Sequence, residues 1–419
     1  MLRLKSLRID KLRKVQPGTI LNFTGDKNLV LGKNGVGKTT LLEVIACAAK
    51  LEFSAFENEE IDVTVGLSGE GAASLNAVNI DARFRHIKTA AEASLVDSIQ
   101  EDAATFLALF IDVSVVHGAS TFKIEVAHGK ISITENSEPV VVFDSGPYFV
   151  VMFEAVNRLT SLLFEAQRTG LANTFSSILK LLLGRKALAR LDESLDVVQR
   201  TMAEPVQLKL RDSNFVTINR PTVDDLRRAL VDKANADSEQ LSATSEVVEF
   251  LRLFAKLVGA DLVKTIFNRK SRVEHYDSLI LTFHNQNFSI QHGQSVTYFD
   301  QFSYGQKRLL AILQYLASNE EVVVADEITN GLHHEWIYFI VKKLEGRQCF
   351  LTSQNPVLLD FLTFTSAAET QNRLIRCEHG PNGTLIWRNL TEQEANDFYT
   401  SYETGMQHVG EIMLKQGLW

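Results

Sequence analysis

Nine residues near the N-terminus, GKNGVGKTT from Gly32 to Thr40, carry glycine, lysine and threonine in the spacing G-x-x-x-x-G-K-T. Glycines let successive backbone N–H groups turn inward around a phosphate, and a following helix adds its positive N-terminal end. Lys38 would reach the β- and γ-phosphate oxygens, and the Thr39 hydroxyl would bind Mg²⁺. The pattern therefore predicts a nucleotide phosphate site, whose other predicted ligands are Gly32, Asn34, Gly35, Gly37 and Thr40.

A second candidate group lies in the last quarter of the chain. The stretch EVVVADE, residues 321–327, predicts a buried strand that ends in two carboxylates at the carboxyl edge of a parallel sheet. Asp326 would complete the magnesium shell, and Glu327 would accept a proton from the attacking water or orient that water. Alone, the pattern also fits a strand that ends in a charged turn, but the phosphate loop favours the catalytic interpretation.

A third candidate group is the polar start of a predicted helix, FSYGQKRLL, from Phe302 to Leu310. Ser303 fits an ordinary helix N-cap before an apolar stripe, which is one interpretation of the stretch. The order Ser-x-Gly-Gln, formed by Ser303, Gly305 and Gln306, stands about twenty residues before the Asp-Glu strand.

Taken together, the three motifs resemble those of ABC-type P-loop ATPases, in the variants found in SMC/RecF-like and OLD-type proteins. The resemblance implies an α/β fold: an ATPase head with a mostly parallel core sheet and an antiparallel β lobe, plus a mostly helical insertion. It also implies that Ser303, the Gly305 backbone and Gln306 complete the site of another copy, so that two ATP molecules are held between two copies. ATP and Mg²⁺ are the implied cofactors.

The resemblance extends to the ATPase subunits of bacterial anti-phage modules of the PARIS-like or Septu-like kind. It implies an ATPase that assembles on nucleotide, as a homodimer or larger homo-oligomer, and regulates a separate effector protein.

Two positions depart from this family pattern. Thr329 stands where relatives often have a third acid, and Gln354 stands where they usually have a histidine that touches the γ-phosphate. Gln354 can donate a hydrogen bond, but it cannot carry charge or relay a proton near neutral pH. Slow hydrolysis is therefore expected, and a nucleotide sensor with negligible turnover stays an alternative.

Composition excludes several classes of protein. The 419 residues carry a formal net charge of −8, which argues against coating nucleic acid by bulk charge. Three widely spaced cysteines form neither a disulfide framework nor a metal-ligand set, which indicates a reducing compartment. With no apolar run of about 18 residues and no signal-peptide core, we expect a cytoplasmic protein with no membrane partner.

A basic N-terminus leaves DNA as a candidate partner. Two interpretations are open: contact with a DNA backbone, as in a RecF-like repair or recombination ATPase, or the solvated face of a strand. The energy-coupling subunit of a membrane transporter is disfavoured, because the motif variants differ and the insertion is large. The six basic residues concerned are Arg3, Lys5, Arg8, Lys11, Arg13 and Lys14.

Hydrophobic patterning divides the chain into three predicted regions. An N-terminal ATPase lobe spans 1–148, a mostly helical insertion spans 149–272, and a C-terminal ATPase lobe spans 273–419. The opening stretch LRLKSLRIDKL predicts a strand at the edge of a sheet. Residues 245–267 predict a helix, and a capping box at Thr391 and Glu394 predicts a terminal helix that runs through Met413.

Overall fold

The structure is a computed structural model. In it, the chain forms two compact units. The first unit comprises Met1–Lys186, Gly346–Thr352 and Leu362–Trp419, and the second comprises Ala187–Glu345 and Ser353–Phe361. The residues described are 2–69, 78–89, 106–117, 120–127, 130–144, 190–191, 206–211, 214–217, 223–275, 278–353, 358, 361–405 and 408–417.

Strands outnumber helices among the described residues. The strands are β1 (Leu2–Leu12), β2 (Thr19–Asn22), β3 (Lys27–Leu31), β4 (Ile61–Gly69), β5 (Val78–Thr89), β6 (Phe106–His117), β7 (Ser120–Ala127), β8 (Lys130–Glu135), β9 (Glu138–Asp144), β10 (Val206–Arg211), β11 (Asn214–Thr217), β12 (Gln240–Thr244), β13 (Leu262–His275), β14 (Ser278–His292), β15 (Ser295–Tyr298), β16 (Val322–Ala325), β17 (Gln348–Leu351), β18 (Leu374–His379) and β19 (Leu385–Asn389). The helices are α1 (Lys38–Lys50), α2 (Asp224–Val231), α3 (Glu249–Val258), α4 (Tyr304–Ser318), α5 (His334–Lys343), α6 (Ala367–Arg373), α7 (Glu392–Glu403) and α8 (Val409–Lys415).

An antiparallel sheet dominates the first unit, in the order β2-β1-β4-β5-β6-β7-β8-β9. The predicted strand is confirmed as β1, but its predicted place at the sheet edge is wrong, because β2 lies outside it. Its register shifts between Leu4 and Ser6 and again between Ile9 and Lys11. The first shift lets Leu4 and Leu7 both be buried, and the second does the same for Ile9 and Leu12.

Parallel strands flank β3, the strand that leads into the predicted phosphate loop of the same unit. β3 pairs in parallel with β17 on one side and β18 on the other, and β19 adds antiparallel to β18. The apolar run Leu29–Leu31 is buried on both faces, as expected of a central parallel strand. The predicted α/β class, with a parallel core and an antiparallel β lobe, is confirmed.

A second antiparallel sheet lies in the second unit, in the order β11-β10-β14-β13-β12, with β15 paired to β14. The helix predicted over 245–267 is wrong in its second half. α3 stops at Gly259, which has φ +70°, and β13 then pairs with β14 along its length. The predicted region boundary at 272 falls inside β13. In the predicted helical insertion the described residues form both strands and helices, and 149–189 lie outside the described residues.

The C-terminal segment begins with the predicted capping box. Thr391 accepts a bond from the backbone N–H of Glu394, and the Glu394 carboxylate accepts one from the N–H of Thr391. The single predicted helix is wrong, because α7 ends at Glu403 and Gly405 takes φ +62° before α8 begins. Met406 lies outside the described residues.

Glu394 also links the terminal hairpin to α7. Arg388 donates two bonds to its carboxylate at 2.6 and 2.8 Å, and Arg376 donates one at 2.9 Å. The bonds from Arg388, with the N–H of Thr391, lower the pKa of Glu394 to about 2. The folded state therefore binds a proton on this group less readily than the unfolded chain does.

We predict that Glu394→Gln lowers the free energy of unfolding, and that the loss is larger at neutral pH than at acidic pH. A lowered folded-state pKa stabilises the protein above the unfolded pKa of roughly 4.3, and this stabilisation is lost as the pH falls toward 2. Urea unfolding should show a loss of roughly 2 kcal/mol at pH 7 and a smaller loss at pH 3. Glu392→Gln, an exposed position on the same helix, is the control. An equal loss at both pH values would contradict the assignment.

Candidate nucleotide site

Glycine is required at the phosphate loop by both conformation and space. Gly35 and Gly37 take φ +85° and +81°, which other residues rarely adopt. A Cβ on Gly32 would lie 2.3 Å from the carbonyl oxygen of Cys377, and a Cβ on Gly37 would lie 2.9 Å from Leu385. The loop thus forms a tight cradle between β3 and the N-terminus of α1.

Lys38 lies folded across this cradle. Its Nζ donates to the carbonyl oxygens of Gly32 at 2.8 Å and Lys33 at 3.1 Å. Asn34 and Thr39 are exposed, and Thr40 is half-buried in the first turn of α1. The amine and the exposed hydroxyl therefore lie at the helix end that favours anions.

The hairpin β18–β19 contacts the loop through Trp387. Trp387 is buried, and its indole Nε1 donates to the carbonyl of Val36 at 3.2 Å. Burial raises the pKa of the Cys377 thiol to about 12, so this group beside the loop stays neutral. All three cysteines lie among the described residues and form no disulfide. No local sequence pattern indicates the bond between Trp387 and the loop.

The acidic group belongs to the second unit. All four residues of β16 are buried, and Asp326 and Glu327, which follow it, are each only 7% exposed. Glu327 takes φ +48°, a conformation that is uncommon for residues other than glycine. A strained backbone at a predicted catalytic position requires support from its surroundings.

That support comes from α4. Arg308 is fully buried and donates to the carbonyl of Asp326 at 3.2 Å and to that of Glu327 at 2.9 Å. About two turns further on, the Tyr315 hydroxyl accepts from the N–H of Val324 and donates to its carbonyl, both at 3.0 Å. The helix thereby fixes the backbone of the acidic strand, a role that the sequence analysis missed for Arg308 and Tyr315.

The polar start of α4 has the predicted N-cap. The Ser303 hydroxyl accepts from the N–H of Gln306, and the Gln306 side chain accepts from the N–H of Ser303, forming a capping box. Gly305 is needed for space, because a Cβ there would lie 2.9 Å from the carbonyl of Gly331. Ser303 is exposed, so the N-terminal end of α4 is accessible from solvent.

Of the two positions that depart from the family pattern, the structure describes Thr329 and not Gln354. Thr329, in place of a third acid, is buried, and its hydroxyl lies 3.0 Å from that of Ser353. It therefore serves the packing of the loop after β16. Gln354 lies outside the described residues.

Arg190, a residue that no motif singled out, contacts the predicted metal ligand. Its guanidinium donates to Asp326 Oδ2 at 3.2 Å. Leu191 holds the backbone in place, since its N–H donates to the carbonyl of Val324 and its carbonyl accepts from the N–H of Asp326, both at 2.8 Å.

The donor chemistry fits Mg²⁺. A threonine hydroxyl and an aspartate carboxylate are the hard oxygen ligands that this ion prefers. The guanidinium on Asp326 shows that this carboxylate accepts a cation as neighbour. Among the described residues, no group of three or more His, Cys, Asp and Glu side chains is placed to hold a metal. The same described residues include no helix with the length and apolarity to span a bilayer.

Three of the six basic residues at the N-terminus are paired with acids. Lys11 lies 3.0 Å from Glu60, and Arg13 donates two bonds to Glu59 at 2.7 and 2.6 Å. These bonds from Arg13 lower the pKa of Glu59 below its usual range. Arg8 is likewise bonded to the neighbouring Asp10. The strand face is therefore closer to a solvated network of ion pairs than to a free basic patch.

Two family models match the chain. One, described as "AAA domain, putative AbiEii toxin, Type IV TA system", matches residues 151–360, half of the chain. The other, described as "AAA domain", matches residues 6–137. No curated protein matches.

Solved structures that are similar to the chain include two SMC heads and a recombination mediator protein. The SMC head domain from Thermotoga maritima is 13% identical, with 93% of this chain and 99% of that chain covered and a TM-score of 0.36. The Smc head bound to the C-winged helix domain of ScpA is 12% identical, with 94% and 99% covered and a TM-score of 0.40. The recombination mediator protein RecF is 15% identical, with 93% and 98% covered and a TM-score of 0.33.

We predict that Arg308→Met destabilises the second unit strongly. The change removes the donor of two buried carbonyls, one of them at the left-handed Glu327, and should cost about 2–4 kcal/mol in chemical unfolding. Lys307→Met, one position earlier on α4 and only half-buried, should cost less than about 1 kcal/mol. Equal losses in the two variants would show that Arg308 does not hold the acidic strand.

Proposed function

The chain belongs to the AAA-domain family whose model matches residues 151–360, and on this basis we propose that it binds and hydrolyses ATP with Mg²⁺ as an ABC-type ATPase. One observation carries the proposal: the glycine cradle at the N-terminus of α1, with Lys38 folded across it. Its amine donates to loop carbonyls in the structure and would transfer to phosphate oxygens when nucleotide binds.

Each predicted residue then has a role. The backbone N–H groups of the loop from Gly32 to Thr40 hold the phosphates, and Lys38 neutralises the β- and γ-phosphate charge. Thr39 and Asp326 would hold Mg²⁺, which would supply charge stabilisation at the transferring phosphate. Glu327 accepts a proton from the attacking water, whose oxygen bonds to the γ-phosphorus while the bond to ADP breaks.

We further propose that the site is completed by a second copy. Ser303 is exposed at the N-terminus of α4, where the backbone N–H groups and the helix dipole favour an anion. Ser303, Gly305 and Gln306 of one copy would contact the γ-phosphate bound by the other copy. Arg308 and Tyr315 connect the same helix to the acidic strand, so contact at Ser303 bears directly on Glu327.

The biological role that we propose is a cytoplasmic ATP-dependent switch that assembles on nucleotide and controls a separate effector, in bacterial antiviral defence. The motif resemblance supports this role. A RecF-like DNA-repair ATPase is the alternative, but the pairing of Arg8, Lys11 and Arg13 with acids weakens its local support. Steeply salt-dependent DNA binding would favour the alternative. Gln354 in place of a charged switch residue favours slow turnover.

We predict that two substitutions separate binding from hydrolysis. Lys38→Ala should abolish ATP binding, measured by calorimetry, because the phosphates lose their principal cation. Glu327→Gln should keep binding and reduce phosphate release by about 10²-fold or more. Lys5→Ala, which removes an exposed lysine from β1, should change neither quantity.

Two results would change the proposal. Phosphate release by Glu327→Gln at the parent rate would show that Glu327 is not the base. Tight ATP binding by the parent protein without any release of phosphate would instead favour a nucleotide sensor.

A further inference from the structure

The segment at Arg190 and Leu191 is attached to the acidic strand through both backbone and side chain. The two backbone bonds of Leu191, at 2.8 Å each, join it to Val324 and to the N–H of Asp326 itself. Arg190 is thus held immediately beside the Asp326 carboxylate, and its guanidinium nitrogen lies 3.2 Å from Oδ2. The contact is set by backbone pairing and does not depend on a long flexible side chain alone.

Burial gives this ion pair more weight than a surface pair. The Asp326 side chain is 9% exposed and that of Arg190 is 20% exposed. A carboxylate removed from water to this extent needs a positive neighbour. Removing one member of such a pair leaves an uncompensated buried charge, which destabilises the folded protein. Arg308 donates to backbone carbonyls and leaves the carboxylate charge to Arg190 and its other neighbours.

Magnesium would compete for the same carboxylate. A Mg²⁺ ion on Oδ2 would sit about 2.0–2.1 Å from that oxygen and within roughly 5 Å of the guanidinium nitrogen, which lies 3.2 Å from the same oxygen. Two cations at that distance repel each other strongly in a partly buried site. Arg190 must therefore move away or yield part of the carboxylate when the ion binds.

We propose that Arg190 is an internal counter-cation that neutralises Asp326 until Mg²⁺ and nucleotide displace it. The proposal rests on the proposed function in one respect, the assignment of Asp326 as magnesium ligand. Arg190 balances the charge of the Asp326 carboxylate and makes magnesium binding harder.

The experiment compares Arg190→Gln with Arg190→Lys, which keeps the charge. Binding of ADP with a methylanthraniloyl fluorophore is titrated in EDTA and then across MgCl₂ concentrations. Arg190→Gln should lower the half-saturating Mg²⁺ concentration about tenfold and weaken binding in EDTA, because the bare carboxylate repels phosphate. Arg190→Lys should resemble the parent protein. In an Asp326→Asn background, Arg190→Gln should no longer change the Mg²⁺ dependence.

A second readout needs no nucleotide. The thermal unfolding midpoint is followed in MgCl₂ against KCl of equal ionic strength. Arg190→Gln should be stabilised by Mg²⁺ at lower concentrations than the parent, and Asp326→Asn should remove the effect. This readout also identifies an Arg190→Gln chain that does not fold, in which case the Arg190→Lys and Asp326→Asn variants decide.

The outcomes separate the two proposals. If the parent protein binds no ADP under any condition, the proposed function fails, and the MgCl₂ thermal shifts still decide the role of Arg190. If ADP binds but Arg190→Gln leaves the Mg²⁺ dependence unchanged or weakens Mg²⁺ binding, the counter-cation proposal is overturned while the ATPase proposal stands. A change of equal size in the Asp326→Asn background would overturn it as well.

Discussion

The constraint on which the site depends is the burial of two carboxylates at the end of β16. Asp326 and Glu327 are each 7% exposed, and Glu327 takes a left-handed backbone conformation. Two arginines satisfy this end of the strand, Arg308 at the backbone carbonyls and Arg190 at a carboxylate oxygen. Without them, a charged and strained strand end would lie in an environment that offers little water.

The predicted phosphate loop in the first unit presents hydrogen-bond donors, which suit an anion. Its glycines leave no room for side chains, and Trp387 fixes the loop backbone through Val36. The Lys38 amine donates to two carbonyls of the loop.

Much of this arrangement was predictable from local patterns. The phosphate loop, the strand before Asp326 and the cap at Ser303 each depend on neighbouring residues, and the structure places all three in the expected elements. Arg190 and Arg308 were missed because their partners lie 136 and 18 residues away, which no local pattern reveals. The β13 error arose because a short apolar run after Gly259 fits a helix or a strand until its pairing partner is known.

The central claim is that one copy completes the nucleotide site of another, and mixing two inactive variants tests it most directly. Lys38→Ala lacks the phosphate lysine, and Ser303→Arg blocks the exposed end of α4. In a mixed assembly, the Lys38 of one variant meets the intact Ser303 of the other, so the account predicts that ATP hydrolysis returns to up to roughly a quarter of the parent rate in a random one-to-one mixture of dimers. No recovery on mixing, or a Ser303→Arg variant that is fully active alone, would contradict it.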